Sequence, residues 1–257
     1  MSITLDVDFQ NSDDIWTTVG ETVHPGNGGV VRRIVNTIDA ANKFDAVSDA
    51  TSPAYRTPTA GALLLANIDY DGTDDNGSGP VISTFLTASA FDILVAFETD
   101  TAGTNNANAW QNTGILTESG DYMGLFVKNG SLMAYNYDSN SDTVLIAIST
   151  GTAYVARMRH DSGTLYLSVN GGAESSVASG NTGSLAGGVI LGSDGSTARK
   201  FNGKIGAIVV ANTGDELASR YSTMVTDWVT GAAPGGGGFI DRHFPRGILR
   251  GVTRGIA

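Results

Sequence analysis

The sequence predicts an all-β protein: an antiparallel jelly-roll β-sandwich with one C-terminal helix and an extended C-terminal arm. Three observations predict it. Glycine is abundant, at 34 of 257 residues. With the Asn, Asp, Ser and Thr spread along the chain it supplies turns, and many turns imply many short strands. Apolar and polar residues alternate in short runs, which is the period of a half-buried strand. Four of these runs fall into pairs joined by turns with hairpin chemistry. Short strands with turn signals at this spacing suggest a sandwich or jelly roll.

The elements follow in chain order. Ile3 to Phe9 alternates apolar and polar and reads as a strand. Residues 20–60 are turn-rich, with Gly26-Asn27-Gly28-Gly29 and Pro25, Pro53 and Pro58, and enclose a short strand from Val30 to Val35. Ala62 to Ala66 begins the next strand, which runs into the acidic turn Asp69 to Gly77. In Phe91 to Phe97, period-2 alternation puts Phe91, Ile93, Val95 and Phe97 on one face, toward the core. Residues 100–113 form a polar loop. In the first hairpin, Tyr122 to Lys128 and Leu132 to Tyr137 flank Asn129-Gly130, a pair suited to a type I′ turn. In the second, Tyr154 to Arg159 and Thr164 to Val169 flank Asp161-Ser162-Gly163. Val189 to Leu191 and Lys204 to Ala211 close the set of strands.

One helix stands out. Thr213-Gly214-Asp215-Glu216 fits a capping box, in which the Thr side chain and the Glu three residues on serve each other's free backbone N–H groups. Leu217, Tyr221, Met224 and Trp228 then recur at helical spacing, a stripe that packs on the sandwich, and Gly231 ends the element.

Composition narrows the function classes. There is no cysteine, so burial and hydrogen bonds hold the fold. The N-terminal MSITLDVDFQ has no basic stretch followed by an apolar one, so no signal peptide is expected. No run of about eighteen apolar residues occurs, so no membrane partner is expected. Net charge is −11. Such acidity repels phosphate and argues against nucleic acid as a partner.

Three stretches resemble the concanavalin A-like, or laminin-G-like, jelly-roll superfamily. Asp49 to Tyr55 leading to Asp69-Tyr70-Asp71-Gly72-Thr73-Asp74-Asp75 resembles its "P-x-Y … FDG-x-DD" stretch. Tyr154 to Arg159, followed by Gly163 to Gly171, resembles its central hairpin ending in "vNG". Val189-Ile190-Leu191-Gly192 and Phe201 to Ile208 resemble its closing strands. The likeness covers roughly residues 1–231 and implies two antiparallel sheets with a curved face. The superfamily hosts lectins, glycosidases, adhesion domains and virion proteins, including those of tailed bacteriophages, so it implies no single function.

Candidate chemistry is sparse. Asp69, Asp71, Asp74 and Asp75 offer oxygens to calcium, or form a solvated turn; their spacing is not that of an EF-hand. No other cofactor is expected. Trp110, on the loop Asn105 to Asn112, would stack on a sugar ring with Asn108 and Gln111 bonding its hydroxyls, or would anchor the loop. Trp16 reads the same way, and Tyr135 and Tyr137 are further aromatic candidates. Glycoside hydrolysis needs two carboxylates across the scissile bond. Laminarinase-type members of the superfamily carry E-x-D-x-x-E or E-x-D-x-E on one strand. Glu98-Thr99-Asp100 begins that pattern, but Ala102 and Gly103 stand where the second glutamate belongs. No G-x-S-x-G, H-E-x-x-H or Walker loop occurs, and Asn202-Gly203-Lys204 lacks the rest of one. His24, His160 and His243 are scattered; His24 and His160 read as turn residues. No enzyme is expected.

The tail differs from the body. After the jelly-roll domain, residues 1–231, come a Gly-rich hinge at 232–238 and a basic arm at 239–257. The arm holds Arg242, Arg246, Arg250 and Arg254 against Asp241, a charge of +3 that leaves −14 for residues 1–238. A unit recurs in it: Arg246-Gly247-Ile248, Arg250-Gly251-Val252, Arg254-Gly255-Ile256. So short and Gly-rich a segment buries no core of its own. Phe239, Phe244, Ile248, Val252 and Ile256 are its apolar contacts for a partner, with the arginines as guanidinium forks. These features point to a non-enzymatic structural protein of a bacteriophage virion, made in the host cytoplasm. A capsid-surface decoration protein is the first reading and a tail- or fibre-associated carbohydrate-binding module the alternative. The expected partners are other virion proteins, copies of itself and, in the alternative, a host surface glycan.

Overall fold

The computed structural model describes residues 3–9, 15–18, 20, 23–46, 48–57, 63–87, 89–108, 111–119, 123–136, 143–180, 185–193, 199–213, 215 and 217–231. In chain order the strands are β1 (Ile3–Asp8), β2 (Ile15–Trp16), β3 (Arg33–Val35), β4 (Lys43–Asp45), β5 (Ala54–Arg56), β6 (Asn67–Asp71), β7 (Gly77–Val81), β8 (Phe91–Thr99), β9 (Thr113–Glu118), β10 (Met123–Lys128), β11 (Ser131–Asn136), β12 (Thr143–Ala147), β13 (Ala153–Asp161), β14 (Thr164–Val169), β15 (Ser175–Ala178), β16 (Gly188–Leu191) and β17 (Asn202–Ala211). Helix α1 (Ala218–Val225) runs into a π-helical turn, Thr226–Thr230. The first sheet has the order β15-β14-β13-β8-β17-β6-β5, with β1 also paired to β17. The second has the order β12-β11-β10-β9-β16-β7-β4-β3-β2. The strand pairings are antiparallel, as in the expected sandwich.

β8 organises both layers. Phe91, Ile93, Val95 and Phe97 point into the core between the sheets, with Leu125, Val127, Leu132, Ile205 and Ile208 among their buried company. The intervening Leu94 and Ala96 point the other way, into a second apolar cluster with Val155, Val209, Leu217, Tyr221, Met224 and Trp228. All nine residues of β8 are therefore buried. The helix stripe covers the outer face of the first sheet, as its spacing predicts.

The hairpin turns follow their chemistry. Asn129 and Gly130 have φ of 46° and 75°, the two positive values a type I′ turn demands, and Lys128 pairs with Ser131 across them. Ser162 and Gly163 do the same, at 51° and 78°, between Asp161 and Thr164.

Three expectations are corrected. The strand expected from Val30 narrows to β3, and Val30 makes an isolated bridge with Ala54. Leu63 to Ala66 is not strand; the ladder begins at Asn67. The backbone amides here have other acceptors: Leu63 N–H donates to Glu98 Oε2 and Leu64 N–H to the Trp228 carbonyl. The capping box does not form. The N-cap position is Leu217, no side chain caps it, and its N–H donates to Asp92 Oδ2 at 2.8 Å. Asp215 turns instead to Arg157, at 2.6 Å, and Glu216 lies outside the described residues.

Truncation on the inner face of β8 should be costly and truncation at the sandwich edge nearly silent. Phe97→Ala is expected to cost about 3–5 kcal/mol in denaturant unfolding. Leu145→Ala on β12, at a residue 48% exposed, should stay within about 0.5 kcal/mol.

Candidate functional site

Charged side chains gather where β6, β8 and β17 run side by side. Lys204 on β17 is the cross-strand partner of Glu98 on β8 and of Asp69 on β6. Its Nζ donates to Glu98 Oε1 at 3.0 Å and lies 3.4 Å from both oxygens of Asp100. Glu98 is 3% exposed, and its Oε2 accepts from Leu63 N–H. Burial alone would lower the Lys204 pKa, but the Glu98 hydrogen bond and charge, with Asp100 behind them, outweigh it and raise it. The Glu98-Thr99-Asp100 pattern is thus one half of an ion-pair cluster. Glu98 lies on the helix-covered side of the sheet with Leu94 and Ala96, away from the core between the sheets.

The acidic turn after β6 comes together in part. Asp71, Asp74 and Asp75 each bring one oxygen within 4.8 Å of the others. Asp69 does not join them; it accepts from Arg56 Nε at 2.8 Å. Two of the acids also serve the backbone: Asp71 Oδ1 accepts from Thr73 N–H at 2.7 Å, and Asp75 Oδ2 from Asp71 N–H at 2.8 Å. Three carboxylates supply half or fewer of the six to eight oxygens calcium takes. Burial pushes the Asp75 carboxyl up to about 6; the Asp71 N–H opposes this, and the carboxylates of Asp71, Asp74 and Asp69 add to it.

Of the glycan-site candidates, Asn108 and Gln111 are neighbours: Asn108 Nδ2 donates to Gln111 Oε1 at 3.2 Å. Asn112 Nδ2 donates to the Asn108 carbonyl and Asn106 N–H to Asn112 Oδ1, so amide side chains hold the loop's own shape. Trp110 and Tyr137 lie outside the described residues, and Tyr135 is buried with Phe126 and Met133. Trp16 lies on β2, half-buried, its ring 3.9 Å from that of His24. His160 is no turn residue. It is buried in β13, with its ring nitrogens 2.8 and 2.9 Å from the carbonyl oxygens of Ser89 and Ser179. The arm residues Phe239, Arg242, Phe244, Arg246, Ile248, Arg250, Val252, Arg254 and Ile256, and His243, lie outside the described residues.

A second charged cluster was not foreseen. Asp92, fully buried on β8, accepts from Arg157 Nε at 3.0 Å, Arg157 Nη2 at 2.7 Å and Leu217 N–H at 2.8 Å. Beside it Glu174 receives Arg159 through two bonds, of 2.8 and 2.6 Å, and the guanidinium lies over the Tyr166 ring. Burial would lower the Arg157 pKa, but Asp92 and Asp215 outweigh it and raise it. The sequence held a signal. Asp92, Arg157 and Arg159 occupy the outward positions of strands whose other outward residues are largely apolar, and buried charges require partners.

Neither a protein-family model nor a curated protein matches the chain. Solved structures do. Trypanosoma rangeli sialidase in complex with 2,3-difluoro-KDN matches with a TM-score of 0.54 and 12% identity, over 86% of this chain and 32% of that one. The botulinum neurotoxin serotype D binding domain matches with a TM-score of 0.50 and 12% identity, over 87% of this chain and 51% of that one. Domain 4 of AbnA, a GH43 extracellular arabinanase from Geobacillus stearothermophilus, in complex with arabinotriose, matches with a TM-score of 0.49 and 14% identity, over 87% of this chain and 98% of that one. This chain thus spans about a third of the sialidase and half of the toxin chain. At these identities the likeness is one of fold: an antiparallel β-sandwich of the kind the sequence predicts.

The acidic turn generates one pH effect. Between about pH 4 and the Asp75 value of about 6, the folded protein holds a proton that the unfolded chain has released. Stability should therefore fall as pH rises through that window. The check is unfolding midpoints measured across it in metal-free buffer. Asp75→Asn should remove this component of the slope, and an unchanged slope would assign it to other groups.

Proposed function

We propose that this chain is a non-enzymatic structural protein of a bacteriophage virion, a capsid-surface decoration protein whose sandwich body is held to its neighbours by the C-terminal arm. One observation carries the reading. The strand carboxylates best placed for chemistry, Glu98 and Asp92, are bound to Lys204 and Arg157 and hold the body together. What the chain offers a partner is its tail, +3 against a body of −14. Four exposed ion pairs would contribute only about 0–1 kcal/mol each. Burying Phe239, Phe244, Ile248, Val252 and Ile256 against a neighbour would contribute about 1.5–3 kcal/mol each. The apolar residues then hold the arm, and arginine sets its register. Its partners are other virion proteins and copies of itself, and the body's acidity argues against nucleic acid. No described helix is long and apolar enough to cross a membrane.

A second reading is an adhesion module of the tail or a fibre that binds a host glycan. Its support is the amide-rich loop, where Asn108 and Gln111 sit together beside Trp110 in sequence, on a fold shared with a sialidase crystallised with a sugar derivative. A glycan array separates the two: binding lost in Asn108→Ala and Gln111→Ala would favour adhesion.

Deleting residues 239–257 should leave a folded, acidic body that no longer joins its particle. Native mass measurement of particles assembled with and without the segment checks this, and normal incorporation of the truncated chain would overturn the anchor. The full chain should also release no reducing sugar from β-glucans. Release that disappears in Glu98→Gln would overturn the non-enzymatic reading.

A further inference from the structure

We infer that Leu217 to Gly231, helix α1 with its π-helical turn, is a strap that opens from the first sheet as a unit while the sandwich beneath stays folded. The strap does not hold its own shape. The α-helix is eight residues long and carries no side-chain cap, and an isolated helix under about twelve residues is marginal in water. Its first free amide is served from the sheet, by the buried Asp92 carboxylate at 2.8 Å. Its other polar ties are few: Asp215 to Arg157, Arg220 Nη2 to Asp6 Oδ1 at 2.8 Å, Tyr221 Oη accepting from Gly171 N–H at 2.9 Å, and the Trp228 carbonyl accepting from Leu64 N–H at 3.3 Å.

The sheet, by contrast, does not need the strap. β8 is paired to β13 on one side and β17 on the other along nearly its whole length. The core between the sheets contains none of Leu217, Tyr221, Met224 or Trp228; those belong to the separate outer cluster. Opening the strap therefore forfeits the outer cluster and five polar ties, but no rung of a ladder. The fit is close at one point. A Cβ on Gly206 would lie 2.1 Å from Trp228 Cζ3, so the absent side chain on β17 is the seat of the indole.

The consequence concerns reach. The chain after Gly231 is joined to the body through this strap alone. Docked, the strap fixes where the tail departs. Open, residues 217–231 join the tether and lengthen it by on the order of 50 Å at full extension. The strap thus sets how far the tail can search for whatever it binds.

Hydrogen exchange with mass spectrometry on the full chain tests this. Peptides from 217–231 should share one protection level, about tenfold or more below that of peptides from β8, β13 and β17. Asp92→Asn should speed exchange in the strap by roughly a further tenfold and leave the strands unchanged. Gly206→Ala, which unseats Trp228 without touching a charge, should do the same and keeps the test open if Asp92→Asn does not fold. Equal protection of strap and strands in the wild type, a graded loss from Gly231 inward, or either variant speeding the strands as much as the strap would overturn the inference.

Discussion

β8 has no face in water. A central strand with a core on one side can leave its other side wet; this one cannot, because Leu94 and Ala96 alternate with Phe91, Ile93, Val95 and Phe97. The outer face must be covered, and the amphipathic stripe of α1 is the cover. The same burial dictates the polar positions of the strand. Asp92 and Glu98 share the outer face, and a buried carboxylate without partners costs far more than a surface pair contributes. Hence an arginine from one neighbouring strand and a lysine from the other stand beside them. The two ion pairs follow from covering the strand on both sides, and breaking either one would leave a buried charge uncompensated.

That arrangement changes what the Glu-x-Asp pattern means. In a hydrolase of this fold the strand would aim carboxylates at a substrate. Here Glu98 faces Lys204 and the backbone of Leu63, under the covering segment. A carboxylate so held is a poor proton shuttle: its hydrogen bonds favour the charged form, and no second carboxylate stands across from it. Motif and partner together argue for structure where the motif alone would have suggested chemistry.

What the sequence made legible was what is local. The alternation of residues 91–97, the Asn-Gly turn at 129–130 and the helical stripe from Leu217 to Trp228 each depend on residues a few places apart. Each appears where its spacing puts it. The readings that failed depend on distant partners. Ala62 to Ala66 looks like a strand because it is apolar, yet its apolar side chains cover Trp228 and its amides go to Glu98 and to the helix end. Thr213 to Glu216 looks like a capping box, yet the helix takes its cap from Asp92, 125 residues away. The short strands β2, β4, β5 and β7 and the Thr-Gly start of β9 carry too few alternations to stand out. They are strands because a neighbouring strand offers them hydrogen bonds. The candidate site divides the same way. The acidic turn is legible as a cluster, but the removal of Asp69 by Arg56 and the pairing of Lys204 with Glu98 are not.

Charge is partitioned by depth in the same logic. The acids that reach the interior, Asp92 and Glu98, are neutralised in place by Arg157 and Lys204. Those left on turns, such as Asp71, Asp74 and Asp161, stand at or near solvent and give the body its negative field. A field of that sign holds like molecules apart at long range and, at salt concentrations where it still extends several ångströms, attracts a basic chain. The tail is the basic chain this protein carries, and it leaves the body at the end of the strap. Long-range repulsion between bodies and short-range capture of an arginine-bearing segment are then not in conflict. They act at different distances, and the length of tether that the strap releases decides which prevails.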